Sequence, residues 1–143
     1  GHAADQLAVY DAASGTLWAS DILSDVEIPF VAHNLSEYER TLANLTVLDL
    51  RVLVPGHGHP TTDPAVIQAR LNEDRAYLAE LSQRVVRAVR QGLSAEATVE
   101  MCADIPLRRP EQNAGPHRLN VESAYLELGG EGDRRALGWS QYE

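Results

Sequence analysis

Three side chains with metal-binding chemistry stand where a strand-like run meets a turn: His2, Asp21 and His57. His57 follows the apolar run Val52-Leu53-Val54 through a Pro55-Gly56 turn in VLVPGHGHP, so the chain leaves a sheet just as the imidazole is presented. Strand ends of this kind are where sheet proteins carry reactive groups. His2 lies shortly before one strand-like stretch and Asp21 directly after another, so all three can converge on one sheet edge. Imidazole nitrogen and carboxylate oxygen are the ligands of hydrolytic zinc sites, where the ion lowers the pKa of a bound water to about 7 and polarises the bond under attack. A carboxylate can also bridge two ions. Taken singly, each residue has a plainer role, as a hydrogen-bonded histidine or a turn-forming aspartate.

The elements that must position these groups follow in order. LAVYD around Leu7–Asp11 and TLWAS at Thr16–Ser20, joined by the turn residues DAASG, predict a β-hairpin. An irregular connection through Pro29, Phe30 and His33 leads to a helix expected to open at Ser36, with Glu39 completing a capping box and Tyr38, Leu42 and Leu45 on one face. That helix feeds the strand before His57, and the strand-helix-strand order predicts a layered α/β arrangement with a helix-covered sheet. Asp63 and Pro64 then form the N-cap and first position of a long helix, with Ile67, Leu71, Leu78, Leu81, Val85 and Val89 on one stripe and Gly92 as its stop. At 1.5 Å per residue it runs roughly 42 Å, more than a small sheet can cover, so its far end is expected to carry an appendage or meet a second subunit. Ser94 caps a short helix through Cys102, Leu107 to Pro116 reads as a loop, and Leu119 to Leu128 reads as a last helix before Gly129 and Gly130. Leu137, Trp139 and Tyr142 fit a short edge strand.

Composition narrows the partners. The 143 residues are 44% hydrophobic, enough for the core of one ordinary domain, and the formal net charge of -9 argues against a nucleic acid or an anionic membrane as partner. No run approaches the ~18 apolar residues of a membrane span. A single cysteine, Cys102, excludes a disulfide within the chain and fits a reducing cytoplasm. Arg108 and Arg109 read as a solvated surface pair, with an anion grip as the functional alternative, and His117 reads as a surface residue.

The order Gly1-His2, hairpin, SDIL, capped helix, then VLVPGHG followed by a long helix resembles the second half of the metallo-β-lactamase-fold hydrolases. The resemblance covers 1–91 with specific motifs and the helical tail more loosely. It implies an α/β fold, the C-terminal half of an αββα sandwich in 1–91, with a helical C-terminal appendage in 92–143. It also implies roles: His2 as a ligand of a first metal, Asp21 as the bridging ligand, His57 as a ligand of a second, and Gly1-His2 as protein sequence rather than a tag remnant. By the same resemblance the chain belongs to a dinuclear zinc hydrolase attacking an ester, thioester or similar bond of a small-molecule substrate with a metal-bound hydroxide. His59, beside this site, reads as a solvent-exposed turn histidine, with orienting a ligand or touching substrate as the functional alternative, and His33 reads as a weak substrate-contact candidate.

Two departures from the family pattern matter. Ser20 stands where the family has glycine before the aspartate, and the HxHxDH motif that supplies the remaining ligands is absent. Each ion would therefore have at most two protein ligands, fewer than the three or four of zinc sites, so the chain alone is expected to bind metal weakly and to be inactive. A missing N-terminal half, or a partner chain, is expected to supply the rest and to cover the second face of the sheet. The same scaffold hosts single-iron oxygenases acting on sulfur compounds, which makes iron the alternative metal. A non-catalytic module using the long helix for homo-oligomerisation is the alternative of another class.

Overall fold

In a computed structural model the chain is a mixed α/β protein of three strands and four helices among the described residues, 1–132. The edge strand expected around Leu137 to Tyr142 lies outside them. Strands β1 (Val9–Asp11) and β2 (Thr16–Ser20) form the antiparallel hairpin, with Val9 opposite Trp18. Helix α1 (Leu35–Leu45) then crosses over to β3 (Val52–Pro55), which runs parallel to β2 with Leu17 opposite Leu53 and Trp18 opposite Val54. A parallel pair needs such a crossover, which explains why the helix separates these two strands in sequence.

Side chains alternate across the sheet. Leu17, Ala19 and Leu53 point into the core, where they meet the buried stripes of α1 and of α2 (Pro64–Arg90). On the opposite face Val9 and Trp18 are 60% and 46% exposed, and the register puts half-buried Val54 beside Trp18. Helices α3 (Ala95–Cys102) and α4 (Pro110–Glu127) pack against the far part of α2, and one apolar core continues from Leu17 to Tyr125. No helix of the described residues is long and apolar enough to cross a membrane.

The caps of α2 and α3 are as the sequence predicts: the side chain of Asp63 accepts from Ala65 N–H and that of Ser94 from Ala97 N–H. Helix α1 differs. Its N-cap is Asn34, whose Oδ1 accepts from Glu37 N–H at 2.7 Å, whereas Ser36 turns its hydroxyl to Glu127 on α4. The Glu127 carboxylate also accepts from Leu35 N–H at 2.6 Å, so an anion from a distant element sits on the positive end of α1.

Helix α4 also begins earlier than expected, because the prolines of Leu107 to Pro116 do not break it. Pro110 occupies the first turn, where no N–H is needed, and Pro116 is accommodated within the helix. The early turns are held from outside: Asn113 accepts from Ile28 N–H and donates to the carbonyls of Val26 and Arg108. One turn pair later Asn120 accepts from Val31 N–H at 2.7 Å and donates to the Pro29 carbonyl at 2.6 Å. The connection from Ile22 to Asn34 is thereby clamped along its length by α4.

His117 is not a surface residue. It is 6% exposed, with Nδ1 3.0 Å from the Tyr77 hydroxyl and Nε2 3.0 Å from the Cys102 carbonyl. Arg108 is neither solvated nor open to an anion: Nη1 donates to the Ser24 and Glu27 carbonyls, and Nη2 to Glu73 and Asp74. Spacing alone hides both, since their partners lie 15 to 84 residues away in the chain.

Candidate metal centre

Asp21 follows β2 through a bulge. Ser20 takes a left-handed backbone, φ +48°, and pairs with Pro55 instead of continuing the ladder. That turn is one glycine adopts without strain. The side chain comes out at the end of β2, and the backbone carbonyls of Asp21 and Ile22 are both fixed by the buried Tyr38 hydroxyl, which donates to them at 3.2 and 3.0 Å.

His2 reaches the same place from the other side. Gly1 packs on α1 so closely that a side chain there would lie 2.2 Å from Tyr38 Cβ, and its carbonyl accepts from the N–H groups of His33 and Asn34. The imidazole tilts against Phe30, ring centres 5.8 Å apart, and turns Nε2 to within 3.9 Å of Asp21 Oδ2. Its Nδ1 is buried without a hydrogen bond of good geometry. Burial holds its pKa below 6.5, more than Asp21 and the Phe30 backbone raise it, which favours the neutral imidazole that binds metals.

His57 arrives from β3. Gly56 N–H donates to Ser20 O at 2.8 Å, and a side chain on Gly56 would stand 2.5 Å from Asp21 Oδ1, so only glycine lets the two turns touch. The ring then places Nε2 3.2 Å from Asp21 Oδ1. Asp21 thus turns one carboxylate oxygen to each histidine, Oδ2 to His2 and Oδ1 to His57.

The turn after Asp21 and helix α2 hold the backbone of the His57–His59 turn. Ser24 Oγ donates to the His57 carbonyl at 3.2 Å, Asp25 Oδ1 accepts from His59 N–H at 3.2 Å, and Arg70 donates to the His59 carbonyl at 3.1 Å. Gly58, at φ +93°, makes room for Asp25, whose Oδ1 lies 1.3 Å from where a Cβ would be. His59 itself is exposed, its ring 3.6 Å from Asp25 rather than turned to Asp21. His33 is exposed too, and what it brings here is its backbone N–H on Gly1. Sequence reasoning missed Tyr38 as a hydrogen-bond donor and missed Ser24, Asp25 and Arg70 altogether. The signal for Asp25 was present in retrospect, as a second glycine in PGHGHP that needs a close neighbour.

The two imidazoles and one carboxylate fit part of a two-ion site and do not complete one. Among the described residues no group of three or more His, Cys, Asp or Glu side chains is arranged to hold an ion. Compared with family models and with curated proteins, the chain matches none.

Proposed function

We propose that this chain is the C-terminal portion of a dinuclear metal-dependent hydrolase of the metallo-β-lactamase superfamily, completed by a segment or partner that supplies the remaining ligands. The observation that carries this reading is the divided Asp21 carboxylate, with Oδ2 toward His2 at 3.9 Å and Oδ1 toward His57 at 3.2 Å. A carboxylate with an imidazole at each of its two oxygens has the donor set and the placement from which two ions would be held, and a carboxylate that merely ends a turn has no need of two histidines. In this reading His2 would hold the first ion, His57 the second, and Asp21 both. When bound, zinc supplies Lewis acidity toward the scissile carbonyl or phosphoryl group of a small-molecule substrate. The chain's own residues fix the geometry: Tyr38 holds the Asp21 backbone, and Ser24, Asp25 and Arg70 hold the turn that presents His57. The outer face of the sheet, with the exposed Val9 and Trp18, is where the completing half of the αββα sandwich would pack.

The test adds the completing segment, in the same chain or in trans, and measures zinc affinity by competition with a chromophoric chelator alongside ester and thioester hydrolysis. The chain alone binds zinc weakly and hydrolyses neither, and completion restores both. In the completed protein Asp21→Ala loses zinc and activity together, while His59→Ala costs at most the ~10–100-fold typical of residues outside the ligand shell. Robust turnover by residues 1–143 alone would overturn the reading. Elemental analysis of the completed protein separates two zinc ions from the one iron of an oxygenase.

A further inference from the structure

On the other side of the 24–28 connection from the Asp21 turn, a cleft of about 630 Å³ lies between the middle of α2 and the segment joining α3 to α4. That volume is in the range of small-ligand sites. Its walls are apolar, with Ile28, Ile105 and Leu107 facing Ala76 and Tyr77 of α2. Its polar groups are three carboxylates, Glu73, Asp74 and Glu80, and one guanidinium, Arg108.

The charges do not balance. Arg108 Nη2 is shared between Glu73 Oε2 at 2.9 Å and Asp74 Oδ1 at 3.0 Å, while Nη1 is used up on the Ser24 and Glu27 carbonyls. Arg84, the nearby cation on Glu80, is divided in the same way between Glu80 and Asp104. Four carboxylates are thus hydrogen-bonded by two arginines, with Arg70, itself paired with Asp25, a further cation acting on Asp74, and no terminal nitrogen of Arg108 is left for an anionic ligand. Asp74 shows the deficit most directly. It is 2% exposed, in the middle of a stripe otherwise made of Ile67, Leu71, Leu78 and Leu81, where an apolar residue would be the stable choice. Burial pushes its carboxyl up to about 7 even though Arg108 pulls it down. The pull of Arg108 and Arg70 together does not offset this burial, so a further cation beside the carboxyl would favour its ionised form.

We propose that this cleft is a binding site for a small organic cation, an ammonium group carried on an apolar chain, with the ammonium among Glu73, Asp74 and Glu80 and the chain along Ile28, Ile105 and Leu107. The site is separate from the Asp21 turn and does not rest on the hydrolase reading. The charge excludes carboxylates and phosphates as its ligands, and the apolar walls favour an alkyl or aralkyl amine over a bare inorganic cation.

The experiment is an NMR titration of the full chain with hexylammonium, hexanoate and hexanol, three probes of one chain length. Hexylammonium gives saturable shifts confined to amides of residues 28, 73–77 and 105–108, and hexanoate gives none. Glu73 sits on the exposed rim, so Glu73→Gln leaves the fold intact and weakens hexylammonium about threefold to tenfold. Leu107→Trp, which fills the cleft from its half-buried wall, removes the saturable shifts. Binding of hexanoate or hexanol as tight as that of hexylammonium, an affinity unchanged in Glu73→Gln, or shifts located elsewhere would each overturn the proposal.

Discussion

Ser20 shows what one residue's backbone does for the site. With φ at +48° it carries a strain of roughly 1 kcal/mol that glycine would not, partly offset by the greater freedom glycine has when unfolded. Ser20→Gly should therefore raise the melting temperature by about 2 °C in calorimetry, and an unchanged or lower value would show that the turn is not strained. Gly58→Ala tests the opposite case. A methyl group there collides with Asp25 Oδ1 and forces a positive φ on alanine, so the expected loss is about 2–3 kcal/mol in urea unfolding, with faster hydrogen exchange at the His59 amide. At this scale much was legible in the sequence, because Pro-Gly turns after apolar runs say where His57 emerges whatever the rest of the chain does. Asp25, Arg70 and Tyr38 were not, since their roles consist of contacts with segments 11 to 34 residues away, which no local spacing encodes.

Among the elements, α4 departs furthest from what the sequence suggested, and its polar residues explain why. Asn113, His117 and Asn120 lie one turn apart on the buried side of the helix and read as surface positions by type alone. Their partners are backbone groups of the 26–31 connection and the Tyr77 hydroxyl. Because Tyr77 O accepts from Asn120 Nδ2, its own hydrogen goes to His117 Nδ1, and His117 Nε2–H then donates to the Cys102 carbonyl. A second proton on His117 would break this chain, and burial accordingly lowers its pKa from 6.5. The unfolded chain then binds more protons than the native one just below pH 6.5, so stability from this group is present above 6.5 and lost as pH falls. Asp74 acts with the opposite sign. Its pKa rises from 3.8 to about 7, the native state holds the extra proton, and stability falls as pH rises through that window. Just below pH 6.5 the two slopes oppose each other. Asp74→Asn, which keeps an acceptor for Arg108 but no titration, should leave the His117 slope exposed. Urea midpoints of that variant should drop more between about pH 7 and about pH 5 than those of the parent chain. Equal drops would mean that burial of Asp74 does not govern its protonation.

For the whole molecule the open question is the second face of the sheet. Both faces of a parallel pair are normally covered, since the crossover that links the strands puts a helix on one side and the fold must supply a layer on the other. Here α1 and α2 cover the side of Leu17 and Leu53, while Val9, Trp18 and Val54 stand in one row across the strands on the other. Scattered exposed side chains need no explanation, and this row of an aromatic flanked by aliphatics in register is the surface on which the proposed half-sandwich would take its second layer. If the completing segment packs there, Trp18 passes from 46% exposed to buried when the segment is added. In a Trp139→Phe background Trp18 is the remaining tryptophan, so fluorescence reads this face alone. Complementation should shift its emission to shorter wavelength and cut acrylamide quenching severalfold, in step with the recovery of zinc affinity. Trp18→Arg should block both, because an unpaired guanidinium cannot be buried between apolar layers, whereas Trp18→Phe should largely retain them. Zinc affinity that recovers while Trp18 stays accessible would place the completing ligands on an element that does not cover the sheet, and the half-sandwich arrangement would then be wrong even with the metal centre right.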